Sequence, residues 1–361
     1  MKIGLVAPPF ISIPPPQYGG TELFIGHLAA GLAARGVDVV LYTNGESKLP
    51  GVDVRWLYPK SEWPIRGEIF GNLKDLSHSA WAMQDAGEEC DLIHGNNAAG
   101  VSHSRFVKKP FVYTIHHPLE PGLLDFYQKH PAVDYVCISR FQCRQHGLAR
   151  SRTIHHGIDL NLYRLRETKK HYLSFLGRIA PVKGTHVAIE VAMRTGIPLK
   201  IAGEIQPMFK DYFEAEIRPH VDGKFIEYVG EADLRSKNEL LGDSLALLFP
   251  ISWDEPFGLV MPEAMACGTP VLAFPGGSVP ELVSDGVSGY VCHSADDMIK
   301  RANELVNGPG LLPRTVRQYA EEHFSVDRMV SEYLALYREL VDKVASPNAS
   351  DEAAEPKGVA A

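Results

Sequence analysis

The sequence has few cysteines and no long apolar run. Five cysteines occur among 361 residues, and none of them belongs to a C-x-x-C pair, so neither a zinc finger nor a disulfide scaffold is indicated. No apolar stretch approaches the roughly 20 residues that a membrane-spanning helix requires. The N-terminal apolar run is too short for a signal peptide and leads directly into prolines. We therefore expect a cytoplasmic protein with reduced thiols and no transmembrane segment.

A surplus of positive charge is also missing. Lys and Arg number 36 against 44 Asp and Glu, which gives a formal net charge of −8. Nucleic-acid binders generally show a basic surplus, so no nucleic-acid partner is expected. The composition, with 45% hydrophobic and 22% charged residues, is typical of a folded globular protein. At roughly 150 residues per domain, the length indicates about two domains.

Two common phosphate-binding motifs are absent as well. No G-x-x-x-x-G-K-[ST] occurs, and the loop after the first predicted strand reads Y-G-G-T-E at residues 18–22 rather than G-x-G-x-x-G. Gly19 and Gly20 nevertheless precede a predicted helix, whose first N–H groups could meet a phosphate. Taken alone, this loop is explained more simply as a tight turn between a strand and a helix.

The sequence does contain a repeated alternation of buried strands and helices. Apolar strands are predicted near residues 2–7, 91–95, 110–116 and 134–139, and the pattern begins again at residues 171–177 and 198–203. Such alternation predicts an α/β fold with parallel, doubly wound sheets. We predict one Rossmann-like domain over residues 1–160, to which a helix at 326–344 returns, and a second over 161–325. Residues 345–361 are predicted to be disordered.

The first motif with charged residues is G-R-I-A-P-V-K-G at residues 177–184. It places Arg178 and Lys183 on one loop between a predicted strand and a predicted helix. An Arg fork and a Lys point charge could together hold a diphosphate. An ordinary solvated loop remains the alternative.

The longest motif is S-W-D-E-P-F-G-L-V-M-P-E-A-M-A-C-G-T-P-V at residues 252–271. Glu255 would lie in a loop framed by Pro and Gly, and Glu263 near the start of the following helix, in which Pro262 suits the first turn. Two carboxylates on one side of a cleft can accept hydrogen bonds from sugar and ribose hydroxyls. The alternative is a pair of solvated carboxylates. The cysteines are expected to be structural, since no electropositive neighbour that would activate a thiol is evident.

These motifs together, in this order and spacing, resemble the retaining family 4 glycosyltransferases, in which the two glutamates form an E-x7-E motif. The resemblance covers residues 1–343. It implies the GT-B fold, with two Rossmann-like domains that face each other across a cleft. The C-terminal domain would bind a nucleotide-sugar donor and the N-terminal domain the acceptor.

The resemblance also implies a role for each motif residue. Arg178 and Lys183 would neutralise the diphosphate, Glu255 would contact the transferred sugar, and Glu263 would hold the ribose. His116, with His117 as second choice, matches a histidine that touches the donor sugar, so the implied catalytic set is His116, Glu255, Arg178 and Lys183. The remaining donor-binding residues implied are Gly19, Gly20, Gly203, Glu204, Phe257, Gly258, Leu259 and Val260. His156-Gly157 stands where the family often has Asn-Gly, and whether this residue contacts ligand stays open.

The implied reaction transfers a sugar, with retention, from a UDP- or GDP-sugar to the hydroxyl of a carbohydrate or small-molecule acceptor. It is expected to need no metal and no other cofactor. A nucleotide-sugar epimerase of the same fold, or a binding module without catalysis, are the alternatives. The segment 65–89 is acidic overall, which does not support a lipid acceptor, and peripheral membrane contact has no support either. Nothing in the sequence indicates the oligomeric state.

Overall fold

The computed structural model describes residues 1–15, 19–65, 67–308 and 310–345. In these ranges thirteen β-strands and thirteen α-helices alternate along the chain. The strands are β1 (Lys2–Val6), β2 (Asp38–Asn44), β3 (Asp53–Tyr58), β4 (Leu92–Gly95), β5 (Phe111–Ile115), β6 (Asp134–Cys137), β7 (Ser151–Thr153), β8 (Leu173–Leu176), β9 (Leu199–Ala202), β10 (Ile226–Tyr228), β11 (Leu247–Phe249), β12 (Val271–Ala273) and β13 (Gly289–Val291). The α-helices are α1 (Gly20–Ala33), α2 (Glu68–Glu89), α3 (Ala98–His103), α4 (Pro121–Gln128), α5 (Arg140–His146), α6 (Thr185–Thr195), α7 (Lys210–Tyr212), α8 (Leu234–Asp243), α9 (Val260–Ala266), α10 (Val279–Leu282), α11 (Ala295–Asn307), α12 (Pro313–Phe324) and α13 (Val326–Ala345).

The strands form two sheets with related topologies. The first has the order β3-β2-β1-β4-β5-β6-β7 and the second the order β10-β9-β8-β11-β12-β13. Pairing is parallel on both sides of β1 and of β8. Counted from its own first strand, each sheet therefore begins in the order 3-2-1-4-5-6, which is that of a doubly wound sheet. The predicted α/β class with two doubly wound sheets is confirmed.

This topology determines where ligands are expected to bind. In an open parallel sheet, the chain leaves strand 1 and strand 4 in opposite directions, and a crevice opens beyond the carboxyl ends of these two neighbours. The corresponding positions are the ends of β1 and β4 in the first sheet and of β8 and β11 in the second.

The second sheet is covered by apolar residues on both faces. Leu247 and Phe249 belong to one buried cluster with Met261 and Phe324, whereas Leu248 between them belongs to another, which includes residues of α6 and α11. Successive side chains of a strand point to opposite faces, so β11 contributes to both cores. Because β11 is packed on both faces, the starting point of the loop that follows it is held in place.

The chain divides into two compact units. The first comprises Met1–Ile115, Asp125–Val136 and the described residues from Val330 onward, and the second comprises His116–Leu124 and Cys137–Met329. The domain boundary near residue 160 stays a prediction. The predicted disorder of residues 345–361 falls outside the described residues, except for Ala345, which ends α13.

A buried polar network attaches the last helix to the first sheet. The His94 ring bonds to the Tyr337 hydroxyl through Nδ1 (2.6 Å) and to the Thr114 hydroxyl through Nε2 (2.8 Å). Thr114 in turn meets the Tyr333 hydroxyl at 2.8 Å. Complete burial lowers the pKa of His94 to about 3, so the ring is neutral at pH 7 and acts as a hydrogen-bonding partner without charge.

No helix in the described ranges is both long enough and apolar enough to cross a membrane. All five cysteines are free thiols.

Candidate functional site

An ion pair lies where β8 and β11 end side by side. Lys183 follows β8 in the short turn Pro181–Lys183, and Glu255 lies in the loop after β11. The Lys183 Nζ donates to Glu255 Oε2 over 2.5 Å, and the two side chains are 12% and 10% exposed. Opposite charges so far removed from water interact more strongly than a surface pair. The structure thus joins the G-R-I-A-P-V-K-G motif and the E-x7-E motif directly.

Trp253 completes this pair and was not identified from the sequence. Its indole Nε1 donates to the same Glu255 Oε2 at 3.1 Å, and the Lys183 Nζ lies 4.5 Å from the centroid of its ring. A second ring, that of Phe249, lies 5.9 Å from the ammonium. Aromatic faces stabilise a cation with little water around it. The position of Trp253, two residues before Glu255, is the only signal that the sequence offers.

Backbone contacts hold the Lys183 loop against the end of β11. The Ser252 N–H donates to the Val182 carbonyl at 2.9 Å. Gly184 has a φ of 74°, and a Cβ there would collide with the Pro250 carbonyl oxygen. Only glycine fits this position, both for its left-handed backbone and for the close approach. Helix α6 begins at the next residue, so its first N–H groups, which lack partners within the helix, follow Lys183 directly.

Arg178 lies beside the predicted turn at Gly203 and Glu204. The Ile179 N–H donates to the Glu204 carbonyl at 2.9 Å, and a Cβ on Gly203 would collide with the Gly177 carbonyl. The Arg178 guanidinium reaches Gln206 Oε1 at 3.4 Å, and the Glu204 side chain is exposed. The ends of β8 and β9 therefore bring these motif residues together through their backbones.

Glu263 is buried in α9 and has two side-chain partners. The Tyr163 hydroxyl and the Lys237 ammonium each donate to Glu263 Oε1 at 2.8 Å, and the carboxylate is 6% exposed. Burial, and then the neighbouring carboxylate, raise the pKa of Tyr163, so the phenol stays protonated and remains a donor. Sequence analysis missed both partners, which come from distant parts of the chain and carry no motif.

The segment between the two glutamates presents its backbone at the start of α9. Phe257 is 2% exposed, and its carbonyl accepts from the Ser278 hydroxyl at 2.8 Å. Gly258 has a φ of 79°, and Leu259 caps the helix that begins at Val260. The predicted contact of these amides with sugar and phosphate stays a prediction.

The His116 ring stacks on the His156 ring, which in turn contacts Phe257. The His116 imidazole is parallel to that of His156, with 5.6 Å between centroids and 10° between planes. The His156 ring meets Phe257 edge-on at 5.2 Å. Complete burial lowers the pKa of His156 to about 3. The residue that departs from the family pattern is thus in contact with the predicted sugar-binding histidine.

Gly19 and Gly20 belong to the first unit, whereas every other predicted donor residue belongs to the second. Gly19 caps α1, and its carbonyl accepts from the Leu23 N–H at 2.9 Å. Burial raises the pKa of Glu22 in the first turn. Tyr18 of the same motif lies outside the described residues.

Two further predictions concern metals and thiols. Over the part of the chain that the structure describes, no three His, Cys, Asp or Glu side chains converge as a metal site would require, and metal independence stays a prediction. Among the thiols Cys143 differs from the others, because a hydrogen bond from Cys137 lowers its pKa to about 6.

Two family models match the chain in succession. Residues 18–162 match "Glycosyltransferase Family 4" and residues 164–323 match "Glycosyl transferases group 1". The chain is similar to D-inositol 3-phosphate glycosyltransferase of Mycolicibacterium smegmatis, with 29% identity over 53% of this chain and 48% of the relative. Spore coat protein SA of Bacillus subtilis is 25% identical over 52% and 59%. The chain thus spans about half the length of the curated relatives it matches.

Solved structures extend the likeness to nearly the whole chain. AviGT4, a glycosyltransferase involved in avilamycin A biosynthesis, has a TM-score of 0.72 at 24% identity and covers 94% of this chain and 98% of its own. Anabaena HepE in complex with UDP and glucose has a TM-score of 0.72 at 21% identity, over 94% and 100%. These likenesses show the fold, and they confirm the predicted GT-B class. Motifs, family models and fold agree, and the chain belongs to the family 4 glycosyltransferases.

Proposed function

We propose that this protein is a retaining glycosyltransferase that moves a sugar from a nucleoside diphosphate sugar to an acceptor hydroxyl without a metal ion. The observation that carries the proposal is the ion pair of Lys183 and Glu255 at the carboxyl edge of the second sheet. The pair supports the proposal because it joins a cation and a carboxylate at the edge where doubly wound sheets bind ligands. In the proposed reaction the cation would bind the phosphate and the carboxylate would bind sugar hydroxyls.

The chemistry requires charge stabilisation in the transition state. As the bond from the anomeric carbon to the diphosphate breaks, positive charge develops on the sugar and negative charge on the leaving phosphate. Lys183 can donate to that phosphate while it still bonds to Glu255, since an ammonium has three N–H donors. Arg178 would supply a second cation. Preorganised cations of this kind favour the transition state over the ground state, because the charge appears only during the reaction. The departing phosphate would take the proton of the acceptor hydroxyl.

The same geometry supports the predicted positions of the donor. Glu263 would accept from the ribose hydroxyls, since Tyr163 and Lys237 both donate to one of its oxygens and leave the other for a ligand. His116, in contact with His156, would touch the sugar near the reacting carbon. Because HepE was solved with UDP and glucose, a UDP-sugar is the first donor to test, with GDP-sugars second.

The proposed setting is the cytoplasm, where nucleotide sugars serve as substrates and free thiols persist. All five cysteines are free in the structure. The proposed partners are the donor and a carbohydrate or small-molecule acceptor.

The decisive experiment measures release of the nucleoside diphosphate from UDP- and GDP-sugars, with and without candidate acceptors, in the presence of EDTA and again with added Mn²⁺. The proposal expects acceptor-dependent release that EDTA leaves unchanged, and a product with the donor's anomeric configuration by NMR. Interconversion of the donor sugar without an acceptor would instead indicate an epimerase. Binding of donor in thermal-shift assays without any turnover would indicate a binding module.

A further inference from the structure

Helix α2 carries an exposed apolar stripe on the first unit. Ile69, Phe70, Leu73 and Leu76 are 79%, 53%, 60% and 44% exposed, and we call these four residues the α2 stripe. Ile69, Leu73 and Leu76 follow one another at helical spacing and therefore share a face. Trp63, in the segment before the helix, is 66% exposed. Contiguous apolar surface of this kind generally marks a binding surface.

A cavity of about 360 Å³ opens beside the stripe. Its lining includes Phe10 from the loop after β1, Ile65 from the segment before α2, and the face of α2 that carries Glu68, Asn72 and Asp75. Asn72 is four residues from Leu76 and three from Ile69, so the cavity face and the stripe are adjacent on the helix. A molecule in the cavity can therefore extend along the stripe.

The cavity is built from fixed elements. The Glu62 N–H donates to the Phe10 carbonyl at 2.7 Å, which ties the segment after β3 to the loop after β1. Lys74, 4% exposed, pairs with Glu62 at 3.2 Å and lies 5.6 Å from the Phe10 ring centroid. A Cβ on Gly71 would press against the Ile65 side chain at 2.6 Å, so glycine allows Ile65 to lie across the helix.

The polar side chains of the lining are the carboxyls of Asp75 and Glu68 and the amide of Asn72. Asp75 is held by Asn97, whose Nδ2 donates to Oδ1 at 2.7 Å. Burial raises the pKa of the Asp75 carboxyl. Glu68 adds a second, exposed carboxyl. Such groups pair well with hydroxyl donors, and two carboxyls disfavour a phosphorylated ligand.

The charge of α2 selects among the occupants of the stripe. The helix carries one Lys, buried and paired, and five acidic residues. Asp85 and Glu89 pair with cations of the first sheet, so Glu68, Asp75 and Glu88 carry its remaining charge. Helices that bind bilayer surfaces are usually basic, because biological membranes are anionic. A second copy of the same helix would offer no cation to pair with Glu68 at the edge of the stripe. A small uncharged molecule meets neither obstacle.

We propose that the acceptor is an uncharged hydroxyl-bearing molecule with an apolar substituent, taken up from solution, whose hydroxyl-rich part enters the cavity and whose apolar part covers the α2 stripe. This inference rests on the proposed glycosyltransferase function and names the substrate class of its acceptor site. The acidic sequence of 65–89 did not suggest such an acceptor, because charge alone does not reveal that the apolar side chains of α2 are left uncovered.

The test compares methyl and n-octyl β-D-glucopyranoside, and the same pair of galactosides, as acceptors below their micelle concentrations. The octyl compounds are expected to have kcat/KM at least about tenfold higher, since burial of two methylene groups corresponds to roughly that factor. The double variant Ile69→Ser, Leu73→Ser is expected to lose the preference while the donor KM stays unchanged. Met193→Ser is the matched control, because it removes a side chain that is 56% exposed on α6.

Binding is measured separately from turnover, by equilibrium dialysis of the same glycosides with the full chain. Equal kcat/KM for methyl and octyl acceptors, or a preference that survives in the double variant, would overturn the inference while the transferase function stands. Absence of transfer with every donor would overturn the function, and dialysis would still test the cavity and stripe. Co-sedimentation with phosphatidylcholine–phosphatidylglycerol vesicles that the double variant abolishes would show a membrane surface instead. A dimer that dissociates in the double variant would show a second copy of the chain.

Discussion

The imidazole rings of His116 and His156 lie parallel, with 5.6 Å between their centroids and 10° between their planes. The two residues are distant in sequence, and contact with the His156 ring limits the orientations that the His116 ring can adopt. Phe257 meets the His156 ring edge-on at 5.2 Å. Offset and edge-on aromatic contacts stabilise such arrangements by about 0.5–1.5 kcal/mol each. His156 is thus a candidate positioning residue for His116.

Replacement of His156 by Ala is expected to lower kcat about tenfold with little change in the donor KM, because the donor contacts remain while the His116 ring loses its support. His156→Phe keeps a flat ring in the stack and should recover most of the rate. His116→Ala should slow transfer more than it weakens binding. Steady-state kinetics with circular dichroism of each variant provide the check. A loss in His156→Phe as large as in His156→Ala would argue against a stacking role.

Lys183 and Glu255 should respond differently to substitution. Lys183→Met removes the cation, which is expected to lower kcat by 10²-fold or more, in line with roughly 10²–10³ for other preorganised donors. It also leaves Glu255 without its ionic partner in a site that is 10% exposed, which costs about 3–5 kcal/mol in comparable buried pairs.

The double variant Lys183→Met, Glu255→Gln separates these two effects. Because a neutral amide needs no cation, stability should return while activity stays low. Urea unfolding and single-turnover kinetics measure the two quantities. Wild-type turnover in Lys183→Met would exclude this lysine from phosphate stabilisation.

Glu263 is expected to govern donor affinity. Glu263→Ala should raise the Kd for UDP at least tenfold, since a hydrogen bond to a charged group contributes about 1.5–3 kcal/mol. Lys237→Met and Tyr163→Phe each remove one donor to Glu263 Oε1 and should have smaller effects in the same direction. Isothermal titration calorimetry with UDP measures all three, and Met193→Ser serves as the control. Equal UDP affinity in wild type and Glu263→Ala would show that this carboxylate does not bind the ribose.

The fold could be predicted from the sequence because its signals are local. Strand and helix patterns and the Gly-Pro frames around Glu255 depend on neighbouring residues, and two doubly wound sheets follow from their alternation. Tyr163 and Lys237 could not be found in this way, since only the folded chain brings them to Glu263. The exposure of Ile69 and Leu73 could not be predicted for the same reason. An amphipathic pattern identifies the apolar face of a helix, but not whether other parts of the fold cover it. The ligand roles of the motif residues stay predictions.

Cys143 is expected to be the most reactive thiol of the chain. A hydrogen bond from Cys137 lowers its pKa to about 6, so most of it is thiolate at pH 7, whereas burial raises the pKa of Cys267 and Cys292 to about 12. Iodoacetamide at pH 7 should therefore modify Cys143 first, as followed by peptide mass spectrometry. Cys137→Ala should slow that reaction. Modification of Cys143 no faster than that of the buried thiols would contradict a thiolate at this position.

Acid should destabilise the first unit below pH 6.5. Burial lowers the pKa of His78 to about 4 and of His94 to about 3, whereas both would titrate near 6.5 in the unfolded chain. Above pH 6.5 both rings are neutral in either state, so stability does not depend on them. As the pH falls below 6.5, these two histidines bind protons in the unfolded chain but stay neutral in the folded chain.

The free energy of unfolding should consequently fall by about 1.4 kcal/mol per pH unit for each histidine. The clearest window lies between pH 6.5 and 5, because the raised pKa values of Glu22 and Asp75 act in the opposite direction at lower pH. Urea unfolding of wild type and of His94→Gln, followed by tryptophan fluorescence, measures this slope. His94→Gln keeps polar atoms for Thr114 and Tyr337 but cannot titrate, so its slope should be shallower by one proton. Equal slopes in the two proteins would mean that His94 does not stay neutral in the folded chain.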